Sequence, residues 1–229
     1  MAQVALIVGV GMGLSASLAR LFAAEEMSVA LASRNPDKIS DLAADTRARL
    51  YNCEASDAAS VDAMFAGVEA DLGVPDVVVY NPSYRVRGPL VQLDRAQVRR
   101  ALEITAYGGF LVGQAAAVGM LAKGSGAILF TGASASVKGY AESAPFAMGK
   151  FALRGLAQSM AREFQPKNIH IAHFVIDGGI RSATRKPPED RPDGFLDPDS
   201  IARAYLDILR QHRSAWTWEI ELRPWLENF

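Results

Sequence analysis

The chain has 229 residues, half of them hydrophobic and 21% charged, with a formal net charge of −1. This composition is typical of one soluble globular domain, and it shows neither a basic field for nucleic acid nor an acidic tail. The single cysteine, Cys53, excludes an internal disulfide framework, and the lack of a signal-like leader or an apolar run of about 20 residues predicts a cytoplasmic protein without membrane contact.

The first predicted elements are a strand at Val4–Val8, a turn with Gly9, Gly11 and Gly13, and a helix at Leu14–Ala24. Glycine lacks a Cβ, so such a turn can be tight and can present bare backbone to a pyrophosphate. The helix behind it directs free N–H groups and its positive dipole end at the same place. This order predicts the opening of a dinucleotide-binding βαβ unit. The alternative is a glycine turn that only lets helix and strand pack closely.

Strands and helices then alternate along the chain, and Asp57 and Asp94 are predicted to cap the helices behind them. This alternation predicts an α/β fold with a doubly wound parallel sheet of about seven strands in one domain, residues 1–229. Further strands are predicted at Ser28–Ala32, Arg49–Cys53, Asp76–Tyr80, Gly126–Thr131, Ile169–Ile176 and Trp216–Leu222. Further helices are predicted at Pro36–Thr46, around Val61–Val68, at Asp94–Leu121, at Phe146–Phe164 and from Asp199 or Ser200.

Two segments near the C-terminus are less regular. Residues 181–198 are rich in proline and charge and predict a mobile loop, and residues 199–229 predict a helix, a strand and an apolar tail that could contact another subunit. His170 and His173 lie three apart in a predicted strand, so they point to opposite faces. We therefore predict no metal site.

Four motifs occur in the order and spacing of one family. The segment Val8–Ser15 resembles a TGxxxGxG turn in which Ser15 replaces the third glycine, and Asn81–Ser83 resembles an NNAG segment. Phe146–Lys150 lies where that family has YxxxK, and Asp177–Ile180 lies where it has PGxI. Over nearly all its length the chain resembles the short-chain dehydrogenase/reductase family. The resemblance implies a Rossmann-type domain, a homodimer or homotetramer, and oxidoreduction of a small carbonyl or alcohol substrate beneath the predicted loop.

The catalytic positions depart from that family, whose set is Asn, Ser, Tyr and Lys with Tyr as the general acid/base. Here Phe146 occupies the Tyr position and has no proton to give. Lys150 is kept, Thr105 occupies the Asn position, and the Ser position falls on Ala133 or its neighbour Ser134. A general acid contributes about 100- to 10,000-fold in rate, so an inherited mechanism is expected to be badly weakened. Lys150, Ser134 and Thr105 are the predicted catalytic residues that remain.

Three tyrosines could supply the missing proton. They are Tyr140, Tyr84 and Tyr107, all near segments that border the substrate in the family. Tyr140 is the first hypothesis because its loop also carries Ser134. The alternative for each is a half-buried ring with a solvated hydroxyl.

The end of the second strand predicts the choice of cofactor. NAD-selective members of the family carry an acidic residue there, whereas this chain has Ser33 followed by Arg34. Ser33 can donate to a 2′-phosphate and Arg34 can pair with it, which predicts NADP(H) rather than NAD(H). The alternative is a solvated Arg34. The cofactor-binding residues implied by the resemblance are Gly9, Val10, Gly11, Met12, Gly13, Leu14, Ser33, Arg34, Glu54, Ala55, Asn81, Pro82, Ser83, Lys150, Asp177, Gly178, Ile180 and Ser182.

Two functions agree with these observations. The first is an NADP(H)-dependent oxidoreductase in which the nicotinamide carries the hydride and the protein supplies position and electrostatics. The second is an NADP(H)-binding sensor or partner subunit that has lost hydride transfer, a reading favoured by Phe146.

Overall fold

The computed structural model describes residues 2–182 and 184–227 and is organised around a parallel sheet. Its strands are β1 (Val4–Val8), β2 (Ser28–Ser33), β3 (Arg49–Asn52), β4 (Val77–Tyr80), β5 (Gly126–Thr131), β6 (Ile169–Ile176), β7 (Gly179–Ile180), β8 (Phe195–Leu196) and β9 (Glu219–Leu222). Seven of them form one sheet in the order β3-β2-β1-β4-β5-β6-β9, and β7 pairs with β8. Every paired neighbour is parallel, which confirms the predicted doubly wound fold.

Helices cover both faces of this sheet. They are α1 (Leu14–Ala24), α2 (Ser40–Thr46), α3 (Ala58–Leu72), α4 (Arg95–Leu102), α5 (Gly108–Lys123), α6 (Ala144–Phe164) and α7 (Pro198–Leu209). One apolar core lies under α3, α5 and α6, and a second lies under α1, α2 and α7. The β-branched and leucine side chains of the central strands alternate between these two cores, so both faces of the sheet exclude water.

The two predicted helix caps are confirmed. An Asp57 carboxylate oxygen accepts from the amide of Ser60 at 2.7 Å, and an Asp94 oxygen accepts from the amide of Gln97 at 2.8 Å. Each carboxylate satisfies an amide that has no partner within its own helix. The sequence signal was sufficient here because capping depends on residues three apart.

Several predicted boundaries are wrong. The long helix predicted at Asp94–Leu121 is divided by a wider π-helical turn at Glu103–Tyr107, and α7 begins at Pro198 because proline suits a first helical turn. The last strand begins at Glu219 rather than Trp216. Residues 181–198, predicted as one loop, include β8 and meet β7 through it.

One continuous helical stretch, Arg95–Lys123, has the length and hydropathy of a membrane span. About 56% of its most apolar window is buried inside the fold, because this stretch includes α5, which packs on the sheet.

Candidate functional site

The candidate site lies where the carboxyl ends of the parallel strands meet. Strand β1 pairs with β2 on one side and with β4 on the other, so the strand order changes direction at β1. The crevice at such a point is where ligands bind in open α/β sheets. Two cavities open at this edge. We call them the turn cavity, about 280 Å³, which includes Gly9 and Ser33, and the Phe146 cavity, about 710 Å³, which includes Phe146 and Ser134. A third, of about 640 Å³, lies at the opposite edge, away from every motif.

The predicted site residues divide among these places. The turn cavity brings together Gly9, Val10, Ser33, Arg34, Glu54, Ala55, Asn81, Pro82 and Ser83. The Phe146 cavity brings together Ser134, Phe146, Asp177, Gly178 and Ile180. The predicted residues that line neither cavity are Gly11, Met12, Gly13, Leu14, Thr105, Lys150 and Ser182.

The glycines of the first turn serve two different purposes. Gly9 has a positive φ of 82°, and a Cβ there would lie 2.6 Å from the Pro82 ring, so this glycine lets β1 and the end of β4 approach closely. In the described part of the chain, no atom lies within 4 Å of where a Cβ of Gly11 or Gly13 would stand. That open space, before the first turn of α1, fits a pyrophosphate held by backbone amides.

Ser15, which replaces the third glycine, is buried and has a structural role. The Asn81 side-chain nitrogen donates to its Oγ at 2.6 Å, and this Oγ donates to the Gly9 carbonyl at 3.3 Å. The two bonds connect the end of β4 to the turn after β1. A glycine at position 15 could not provide this connection.

Ser33 ends β2 inside the turn cavity. Its Oγ is buried without a hydrogen-bond partner among the described residues, and such an orphaned hydroxyl is costly unless a ligand completes it. The exposed Arg34 follows it, and its backbone carbonyl accepts from the Asn52 side chain at 3.0 Å. The single carboxylate among the described lining residues is Glu54, which accepts from the Ser56 hydroxyl at 2.9 Å. These donors fit an anionic ribose substituent.

Lys150 is 2% exposed, and its Nζ donates to the Thr131 carbonyl oxygen at 2.7 Å. Burial lowers the pKa of Lys150 from 10.5 to about 8. The ammonium also lies 6.0 Å from the centre of the Phe146 ring. A buried amine with one carbonyl partner is a costly arrangement in a core, so Lys150 is a candidate for contact with a bound molecule.

Phe146, the residue predicted to occupy the family Tyr position, lines the Phe146 cavity. Phe146 presents its ring, and the guanidinium carbon of Arg85 lies 4.8 Å from the ring centre. Ala133 donates its amide to the Ser136 hydroxyl at 3.1 Å and offers no hydroxyl itself, whereas Ser134 lines the cavity. Of the two candidates for the family Ser, Ala133 and Ser134, only Ser134 therefore has a hydroxyl group that can reach a substrate.

Thr105 is 1% exposed and packs against Gly149 of α6. Its hydroxyl accepts from the Tyr84 amide at 3.4 Å. It thus lies between helices rather than on a cavity wall. The catalytic role of Thr105 stays a prediction.

Of the three candidate tyrosines, Tyr140 lines the Phe146 cavity and is 46% exposed. The hydroxyl of Tyr84 donates to Gln97. Tyr107 stacks on Phe110 with ring centres 6.1 Å apart. Tyr140 is therefore the candidate whose hydroxyl can meet a molecule beside Phe146.

The segment after β6 forms the opposite wall. Asp177 is buried and binds Lys138 and Arg223, each at 3.2 Å. Gly178 has a positive φ of 147° and approaches Pro224 closely. Ser182 is exposed, with its hydroxyl 3.4 Å from that of Thr184.

A partly buried polar network that joins α6, β6 and β9 was not predicted from the sequence. Two nitrogens of Arg154 donate to Glu219 at 2.6 and 2.7 Å, and Glu219 lies 3.0 Å from Nδ1 of the fully buried His173. Burial lowers the pKa of His173 to about 4, so the ring is neutral and Nδ1 donates to the carboxylate. These residues lie 46 and 65 positions apart, and no local pattern reports such pairs. Among the described residues, no group of three metal-ligating side chains is found.

Comparisons with known proteins agree with this geometry. The family model described as short chain dehydrogenase matches residues 3–191. D-threitol dehydrogenase of Mycolicibacterium smegmatis is 27% identical over 220 residues, covering 88% of this chain and 84% of the relative. A solved short-chain dehydrogenase from Rhodopseudomonas palustris has a TM-score of 0.86 at 34% identity, covering 97% of this chain and 99% of that chain. An alcohol dehydrogenase from the archaeon Thermococcus sibiricus, solved with 5-hydroxy-NADP, has a TM-score of 0.88 at 22% identity, covering 100% and 99%, which shows the fold alone.

Lys150→Met is predicted to change how stability depends on pH. Between about 8 and 10.5 the unfolded chain holds a proton on Lys150 that the folded protein has lost, so the free energy of unfolding of the wild type rises with pH in this window, by up to about 3 kcal/mol relative to the variant. Urea unfolding at several pH values measures this difference. The control is Lys167→Met, an exposed lysine beyond the opposite edge. A difference between wild type and Lys150→Met that stays constant with pH would contradict the prediction.

Proposed function

Because the chain belongs to the short-chain dehydrogenase family, we propose that it is an oxidoreductase that uses NADP(H) and a small carbonyl or alcohol substrate. The bound nicotinamide supplies the hydride chemistry. The chain's own residues bind the cofactor, orient the substrate and supply the proton. The observation that carries the cofactor preference is the partnerless Ser33 hydroxyl beside Arg34.

The turn cavity favours a 2′-phosphate on electrostatic grounds. A phosphate accepts from both the Ser33 hydroxyl and the Arg34 guanidinium, and charge-assisted bonds of this kind are the strong ones. The Glu54 carboxylate is already engaged by Ser56, and no acidic residue stands at the end of β2. In this proposal Gly11 and Gly13 accommodate the pyrophosphate and Lys150 binds the ribose on the nicotinamide side.

In the Phe146 cavity we assign Tyr140 as the proton donor and Ser134 as a second hydroxyl that orients the substrate oxygen. Both line the cavity, whereas Thr105 does not. The segment 181–198 contributes Arg185 to the same cavity and is proposed to cover the substrate. The homo-oligomer and the cytoplasmic location implied by the resemblance stay predictions. The alternative without hydride transfer finds no support in the comparisons.

Ser33→Asp is predicted to reverse the cofactor preference. A carboxylate at the end of β2 repels a 2′-phosphate and accepts from ribose hydroxyls, so NADPH binding weakens by about 10- to 100-fold while NADH binding holds or improves. Arg34→Ser weakens NADPH only. Titration of nicotinamide fluorescence measures both, with Arg162→Ser, an exposed arginine at the far end of α6, as the control. Equal affinities of the wild type for NADPH and NADH would count against the assignment, and uptake of neither would refute the proposed function.

Tyr140→Phe is predicted to reduce turnover by about 100-fold or more because it removes the proposed acid, while NADPH affinity stays unchanged. NADPH oxidation with a panel of aromatic and aliphatic aldehydes measures turnover. Tyr107→Phe removes an exposed hydroxyl outside both cavities and serves as the matched control. Undiminished turnover of the Tyr140→Phe variant would exclude this tyrosine as the acid.

Phe146→Tyr is predicted to increase turnover of the same aldehydes, by about 10-fold or more. The new phenol stands on the helix face of Lys150, whose ammonium favours its ionised form, and so restores an acid/base at the family position. Phe151→Tyr, on the exposed side of α6, is the control. If the wild type binds NADPH but does not oxidise it with any aldehyde, and the Phe146→Tyr variant is active, then the chain is a binding protein that has lost hydride transfer.

A further inference from the structure

We propose that the Phe146 cavity selects substrates that carry an anionic group, a carboxylate or a phosphate monoester, and that Arg85 and Arg185 bind this group with support from Arg87. All three arginines line the cavity, and the Arg85 guanidinium lies over the Phe146 ring. The link to a carbonyl or alcohol substrate rests on the proposed function. The anion site itself rests on the arrangement of these arginines.

Arg85 is positioned by an aromatic face rather than by an acid. Its guanidinium carbon lies 4.8 Å from the centre of the Phe146 ring. An arginine stacked in this way keeps the N–H donors at the edge of its plane available, and that fork matches a carboxylate or a phosphate. The phenylalanine that removes the family acid thus supports a cation at the same place.

Arg185 reaches the cavity from the opposite side. Its guanidinium carbon lies 5.0 Å from the centre of the Phe195 ring, and Phe195 pairs with Gly179 in the β7–β8 ladder. One of its nitrogens lies 3.2 Å from where a Cβ of residue 179 would stand, so the glycine leaves room for the guanidinium. The two arginines therefore project from separate elements, one after β4 and one after β7.

The acids that line the cavity do not neutralise these arginines. Asp177 pairs with Lys138 and Arg223. Glu142 and Glu227 also line the cavity, yet among the described residues no carboxylate oxygen lies within 4.0 Å of a nitrogen of Arg85, Arg87 or Arg185.

The arginines also repel one another. Burial and the charges of Arg87 and Arg185 lower the pKa of Arg85. Like charges in one concavity repel one another when no carboxylate contacts them, and a bound anion relieves this repulsion while accepting their donors. This is the electrostatic arrangement expected of a site that takes its counterion from the substrate.

The test compares ligands of similar shape and different charge. Benzoate and phenyl phosphate are titrated by calorimetry into the NADPH-loaded protein, with benzamide as the neutral analogue. We expect at least one anion to bind 10-fold or more tightly than benzamide. Arg85→Gln and Arg185→Gln should each weaken that anion about 10-fold and leave benzamide unchanged, whereas Arg162→Gln should have no effect. The NADPH affinity of each variant verifies that it is folded.

Turnover gives a second readout. 4-Formylbenzoate should be reduced with a higher kcat/KM than its methyl ester, and Arg85→Gln should remove this preference by raising the KM of the acid. Anions that bind no more tightly than benzamide, or an equal loss in Arg162→Gln, would overturn the inference. Anion binding by a protein that takes up no NADPH would refute the proposed function and leave the anion site standing. The more tightly bound of benzoate and phenyl phosphate identifies the class of anion.

Discussion

The site depends on one close approach, between the turn after β1 and the residues after β4. The Gly9 backbone reaches the Pro82 ring so closely that only a residue without a Cβ fits, and the Asn81 amide donates to the Val8 carbonyl at 3.0 Å. The Asn81 side chain then holds Ser15. Through these contacts the segment that leaves β4 is fixed against the glycine turn before it continues to Arg85. The two cavities are therefore built on a common segment, and a change in the turn affects both.

Lys150 places an amine in the interior, where its burial has an energetic cost. Its ammonium is buried with the Thr131 carbonyl as its hydrogen-bond acceptor and the Phe146 ring 6.0 Å away. A methionine would fill a similar volume without the cost of desolvation, but it could not donate to the Thr131 carbonyl. Under the proposed function, this charge is kept at that cost because it binds the cofactor ribose.

Local patterns predicted most of the fold and selected residues that line the turn cavity together. Glycine spacing, apolar periodicity and caps act over a few residues, so Gly9, Ser33 and Asp57 could be assigned from the sequence. Tertiary relations could not be assigned in this way. Arg85 and Arg185 line one cavity from segments 100 positions apart, and Arg154 of α6 pairs with Glu219 of β9. A helix pattern also gave no sign that the π-helical turn at Glu103–Tyr107 would bury Thr105 between helices.

Phe146, which has no hydroxyl, and the arginines of the same cavity together determine which charges this wall offers a substrate. When no anionic group is bound, the arginines of the Phe146 cavity stabilise negative charge that develops on a reacting oxygen there. Such stabilisation is commonly a large part of catalysis. An anionic group bound between Arg85 and Arg185 would neutralise these positive charges. Under the proposed function, the reacting oxygen must then rely on the uncharged donors of the same wall, Tyr140 and Ser134. In the family pattern, one tyrosine and its lysine serve both substrate recognition and proton transfer. Under the proposed function, charged side chains would recognise the substrate here and neutral side chains would transfer the proton.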